Sequence, residues 1–101
     1  MTRETDILQA VRLRASQLGA LIWRNNVGKL QDKNGRWVTY GLCVGSADLI
    51  GLFKGRFLAI ECKIPGKHPT IEQANFLAAV NKAGGIGAVI TDPAQLENIL
   101  K

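Results

Sequence analysis

The stretch "GSADLIGLFKGRFLAIECK", residues 45–63, decides how the rest of the chain is read. Two short apolar runs, 47–53 and 56–62, meet at Lys54-Gly55 and carry Asp48, Glu61 and Lys63 at their far ends. A two-residue turn at Lys54-Gly55 predicts an antiparallel hairpin in which Phe53 faces Arg56, Leu52 faces Phe57, Ile50 faces Ala59 and Asp48 faces Glu61. Opposed residues point to the same face with Cβ atoms about 4.5–5.5 Å apart. Strand alternation puts Lys63, two residues past Glu61, on that face as well.

Two carboxylates directly opposed repel each other. Either one takes a proton, or a divalent cation bridges them. Oxygen ligands suit Mg²⁺ or Mn²⁺. The adjacent Lys63 favours the cation, because such a lysine can orient a water or stabilise charge on a phosphate oxygen while a metal polarises the phosphoryl group. The plain alternative is a surface salt bridge between Lys63 and Glu61, and an isolated D…ExK pattern is common. Here the register, the apolar strands and the basic charge balance favour the functional reading.

Around the hairpin, Leu8, Val11, Ala15 and Leu18 recur at helical spacing and predict a helix over residues 3–18, ended by Gly19. Residues 20–26, "ALIWRNN", read as a strand. A turn at Asn34-Gly35 leads into a strand "RWVTYGL". After the hairpin, "PGKHP" is a loop, Thr70 opens a helix, and Gly84-Gly85 closes it. "IGAVIT" has the nearly unbroken apolar character of a buried parallel strand. Asp92 caps a last helix with Pro93 at its first position. The order α-β-β-β-β-α-β-α over residues 1–101 predicts one α/β domain, a mixed β-sheet flanked by helices, with the strands either side of the second helix parallel.

The 13 Lys and Arg outnumber the 8 Asp and Glu, a net charge of +5 that favours a polyanionic partner, nucleic acid first. No apolar run approaches the roughly 20 residues of a membrane span. The polar start "MTRETDILQAVRLR" is unlike a signal peptide, and Cys43 and Cys62 make no disulfide framework. A cytoplasmic protein with reduced thiols is expected. His68 is the only histidine and neither cysteine has a close partner in sequence, so a zinc site is not expected.

Taken together, "SADLIG…FLAIECK…TIEQANFL" resembles the PD-(D/E)XK nuclease superfamily, most closely its VRR-NUC branch in the small, stand-alone, phage-type form. The resemblance runs from Glu4 through the last helix, with Ala47 where the superfamily has proline. It implies a restriction-endonuclease-like core, a phage or bacterial origin and a metal-dependent phosphodiesterase. Asp48 and Glu61 would hold the metal, the backbone carbonyl of Cys62 would be a further ligand, and Lys63 would be catalytic. Glu4 would complete the acidic site from the first helix; an acid in that turn also suits the helix dipole. Gln73 would reach the site from the second helix; it equally forms a T-x-x-Q capping box with Thr70.

Among the basic residues, Arg24, Lys54, Arg56 and Lys67 are candidate DNA contacts, Arg24 foremost because "WRNN" ends a strand near the proposed site. Trp23 and Trp37 can stack on bases, though packing is the commoner use. One acidic site cuts one strand, so a four-way junction needs two sites, which a two-fold homodimer supplies. Trp23, Trp37, Tyr40 and Leu42 are available for that interface. The sequence thus predicts a Holliday-junction resolvase. The rivals are a nuclease for flap or linear DNA, a basic nucleic-acid-binding module without catalysis, and a protein-interaction domain.

Overall fold

The turn between the two apolar runs needs two residues with positive φ, and it has them. In the computed structural model, which describes residues 3–101, Lys54 has φ 49° and Gly55 has φ 79°. This two-residue connection matches the twist of the strands it joins, β4 (Leu49–Phe53) and β5 (Arg56–Cys62). Their register is the expected one: Phe53 pairs with Arg56, Leu52 with Phe57, Ile50 with Ala59, and Leu49 with Ile60. Asp48 and Glu61 lie just beyond the last of these pairs.

On one side of the hairpin, β1 (Leu21–Arg24) pairs antiparallel with β4. On the other, β6 (Ile86–Ile90) pairs parallel with β5. The result is a mixed four-stranded sheet in the order β1-β4-β5-β6. The helix α1 (Glu4–Gln17) precedes the sheet in sequence, and α2 (Ile71–Lys82) makes the crossover from β5 to β6. After β6, Pro93–Gln95 forms a 3₁₀ turn that runs into the short helix α3 (Leu96–Ile99). Asp92 caps the turn by accepting a hydrogen bond from the Ala94 amide at 2.8 Å.

Two parts of the expected topology are corrected. An additional strand, β2 (Gly28–Gln31), precedes β3 (Trp37–Tyr40), so the order has five strands before α2. These two strands form a separate two-stranded ribbon and do not join the main sheet. "GKLQ" has one apolar side chain and opens on glycine, so no alternation marks it as a strand. The turn chemistry makes it one. The Asp32 carboxylate accepts from the backbone amides of Asn34 and Arg36, each at 2.9 Å, and folds the chain back on itself. The flank of β4 that the ribbon would have needed is occupied by β1.

The sheet separates two apolar clusters. On one face Ile7, Leu8, Val11 and Ala15 of α1 pack on Leu49, Leu58, Ile60 and Cys62, with Ile86, Ile90 and Leu96 completing the cluster. This is the stripe whose helical spacing predicts α1. An ion pair from Arg14 to Glu97 ties α1 to α3. On the other face Ala47, Ala59 and Leu77 form a smaller cluster under α2, edged by Phe76, Val80 and Val89. Alternation along β5 therefore turns Leu58, Ile60 and Cys62 toward α1, and Ala59 and Glu61 toward α2. The loop before β4 runs close beneath the start of α2. A Cβ on Gly45 would lie 2.8 Å from the Cβ of Glu72, and Gly45 has φ +83°, so glycine alone fits there. Among the described residues no helix is long and apolar enough to cross a membrane.

Candidate metal centre

Asp48 lies one residue before β4 and is fixed from two sides. Its backbone carbonyl accepts from the amide of Asn25 at 2.8 Å. Its carboxylate Oδ2 accepts from the amide of Cys62 at 3.0 Å. Asn25 also secures the approach to Asp48 through its side chain. Its Nδ2 donates to the Ala47 carbonyl at 2.9 Å and to Ser46 Oγ at 2.8 Å. Ser46 Oγ in turn donates to the Cys43 carbonyl at 2.6 Å.

Glu61 is the only buried charged side chain among the described residues, at 1% exposure. Its Oε1 accepts from Gln73 Nε2 at 3.1 Å and lies 3.7 Å from Lys63 Nζ. Its Oε2 is buried with no hydrogen-bond partner. An unpaired carboxylate oxygen out of water is costly. Its pKa is accordingly pushed up to about 8, first by burial and then by the charge of Asp48. Lys63 opposes the rise, and Glu4 adds to it weakly. The Cys62 thiol, on the opposite face of β5, is raised to about 12 by burial and by the charges of Asp48, Glu61 and Glu4. It is an inert core thiol, not a nucleophile.

Lys63 and Glu61 do form the ion pair that the plain alternative describes, but not at the surface. The Lys63 side chain is 15% exposed. For Gln73 the two readings hold together. Its Oε1 accepts from the Thr70 amide at 2.8 Å, and its own amide donates to Thr70 Oγ1 at 3.1 Å, which is the capping box. The remaining Nε2 holds Glu61. The helix start and the acidic site thus share one side chain.

Glu4 is half-buried at the first position of α1, and its charge is felt at both Glu61 and Cys62. It stands off from the pair: among the described residues no three His, Cys, Asp or Glu side chains gather as a ligand group. The donors that fit a hard divalent cation are the two carboxylates of Asp48 and Glu61, and the unsatisfied Glu61 Oε2 is the atom such an ion would serve.

The basic residues divide by position. Arg24 ends β1 and, with Asn25, Lys29, Tyr40, Asp48 and Gln73, lines a cleft of about 790 Å³ that opens beside the acids. Lys67 is exposed in the loop that leaves β5 from the same end. Lys54 and Arg56 are elsewhere. Lys54 is in the turn at the other end of the hairpin and Arg56 follows it, and five residues of strand put Arg56 roughly 17 Å from Glu61. The Arg56 guanidinium donates to the carbonyls of Gly84 at 2.8 Å and Gly85 at 3.0 Å, so it closes the end of α2. A turn residue near an acid in sequence is distant from it when the acid sits at the strand's far end.

Asn25 is the site-supporting residue that the sequence reading does not single out. Arg24 pairs with Leu49, so the cross-strand neighbour of Asp48 is the next residue, Asn25. The signal was available in the register of β1 against β4, which no local pattern supplies. No protein-family model matches the chain, and no curated protein matches it in sequence.

Proposed function

We propose that the chain is a divalent-metal-dependent DNA endonuclease of VRR-NUC type, built on a restriction-endonuclease-like core of the PD-(D/E)XK superfamily. One observation carries the reading. A carboxylate is buried beside a second carboxylate, held by Lys63 and Gln73 at one oxygen and left without a partner at the other. A structural role alone gives no reason to bury that oxygen unsatisfied.

Mg²⁺ or Mn²⁺ would be held by Asp48, Glu61 and the backbone carbonyl of Cys62, with Glu4 in support; bound there, it would supply Lewis-acid activation of the phosphodiester. The chain's own residues do the rest. Gln73 orients Glu61 from the start of α2. The amide of Cys62 and the Asn25 bridge fix Asp48. Lys63 would orient an attacking water and stabilise negative charge as it develops on a phosphate oxygen. Arg24 and Lys67, at the same end of the sheet, would take phosphates of the strand being cut.

A four-way junction acted on by a homodimer is the substrate reading the molecule supports best. Trp23 and Trp37 are 43% and 69% exposed, and among the described residues the outer edge of β1 is unpaired. A two-stranded ribbon is marginal alone, and a second copy would cover the face that carries Trp37, opposite the face that carries Tyr40. The test is a cleavage panel of four-way junctions, flaps, nicked and linear duplexes with Mg²⁺, Mn²⁺ or EDTA, alongside light scattering at micromolar concentration. A dimer that nicks junctions symmetrically, and only with the ion, supports the reading. DNA binding without cleavage in any arm would leave a non-catalytic nucleic-acid-binding module instead.

A further inference from the structure

The cleft beside the acidic pair contains an aromatic side chain that the reaction chemistry does not use. Tyr40 ends β3, directly opposite Gly28 on β2. Its phenol lies across Gly28: a Cβ there would be 2.5 Å from the hydroxyl oxygen and 2.8 Å from Cζ. The glycine therefore makes room for the ring and limits where it can go. Tyr40 remains 45% exposed. It belongs to neither apolar cluster. The same cleft is lined by Arg24 and Lys29, and its other wall carries Asp48 and Gln73.

We infer that Tyr40 is a stacking platform for an unpaired nucleobase of the DNA strand at the site. The inference rests on the nucleic-acid reading above and adds to it the state of the substrate. A seated, half-exposed ring in a cleft that two cations also line offers what an unpaired nucleotide needs: a π-face for the base and positive charge for its flanking phosphates. A cleft of about 790 Å³ falls in the range that encloses ligands of mononucleotide size. A base inside a duplex has both faces already stacked and cannot use the platform until it is extruded. Tyr40 would therefore favour the opened bases at a branch point over plain duplex.

The experiment is equilibrium binding by fluorescence anisotropy in EDTA at fixed salt, so that neither ion nor cleavage enters. The two probes are a blunt DNA hairpin duplex and the same duplex with a three-thymidine single-stranded tail. Wild type should bind the tailed probe more tightly. Tyr40→Leu should lose about 5- to 150-fold on the tailed probe and little on the blunt one, while Tyr40→Trp keeps the preference. Lys29→Ala should weaken both probes alike. Since Tyr40 lies outside both clusters, its variants should melt as wild type does. If Tyr40→Leu affects neither probe, or both equally, the platform is refuted and the nuclease reading stands. If wild type prefers the tailed probe through Tyr40 but cuts no DNA with Mg²⁺, the platform stands and hydrolysis falls. If wild type binds neither probe, the platform is refuted, and the cleavage panel with Mg²⁺ decides the nuclease reading separately.

Discussion

Replacing Glu61 by glutamine should make the metal-free protein more stable, by an amount that depends on pH in a calculable way. The amide keeps the shape of the protonated acid. Its oxygen can accept from Gln73 Nε2 and its NH₂ can donate to Asp48, so the variant mimics the neutral form of Glu61. In the wild type the folded pKa of about 8 lies above the ordinary 4.5. The folded state therefore binds the proton more tightly than the unfolded state, and stability falls as pH rises from about 4.5 through 8. At about 1.4 kcal/mol per pKa unit the full loss is about 5 kcal/mol, a large share of the stability of a small domain. Urea unfolding in EDTA at intervals from pH 5 to pH 9 measures it as the difference between wild type and Glu61→Gln. At pH 5 the two should agree to within about 1 kcal/mol, and by pH 9 the variant should lead by about 5 kcal/mol. Parallel curves across that range would refute the claim that Glu61 is forced into a site hostile to its charge.

Added Mg²⁺ should raise the melting temperature of the wild type, and more so at pH 8 than at pH 6, because the ion must displace the proton held by the acid pair; about 2.7 kcal/mol is expected at 100 times Kd, and Asp48→Asn should abolish the shift. Calorimetric titration should find Lys63→Ala binding the ion at least as tightly as wild type, since a nearby positive charge is gone, while its cleavage rate falls by orders of magnitude. Arg56→Ala should cost about 1–3 kcal/mol in denaturant unfolding by freeing the Gly84 and Gly85 carbonyls, and leave DNA binding unchanged; a loss of DNA affinity at unchanged stability would return Arg56 to the DNA-binding surface.

The parts of the molecule legible in its sequence are those governed by local rules. A two-residue turn at Lys54-Gly55 sets one register, a symmetric four-residue loop sets the same one, and that register brings Asp48 opposite Glu61 without any knowledge of the rest of the chain. The helical stripe of Leu8, Val11 and Ala15 and the capping box of Thr70 and Gln73 are local in the same sense. What escaped depends on partners distant in sequence. β2 has little strand character of its own and exists through the Asp32 turn and β3. Asn25 matters only because β1 pairs with β4 at the register that sets it beside Asp48. The displacement of Lys54 and Arg56 from the acids follows from strand length, which proximity in sequence conceals.

The antiparallel ladder between β4 and β5 stops at Leu49 and Ile60, yet the next amide, Cys62 N–H, is still bonded, to a carboxylate oxygen of Asp48. The last rung between β4 and β5 is thus made by a side chain, while backbone bonds continue on either side, from Asn25 N–H to the Asp48 carbonyl and from Lys63 N–H to the Ile90 carbonyl. An ion that engages Asp48 Oδ2 would share that oxygen with the amide and change the charge the N–H faces. The exchange rate and proton chemical shift of one backbone amide would therefore report occupancy of the pair in the unmodified protein, with no substrate, no label and no substitution.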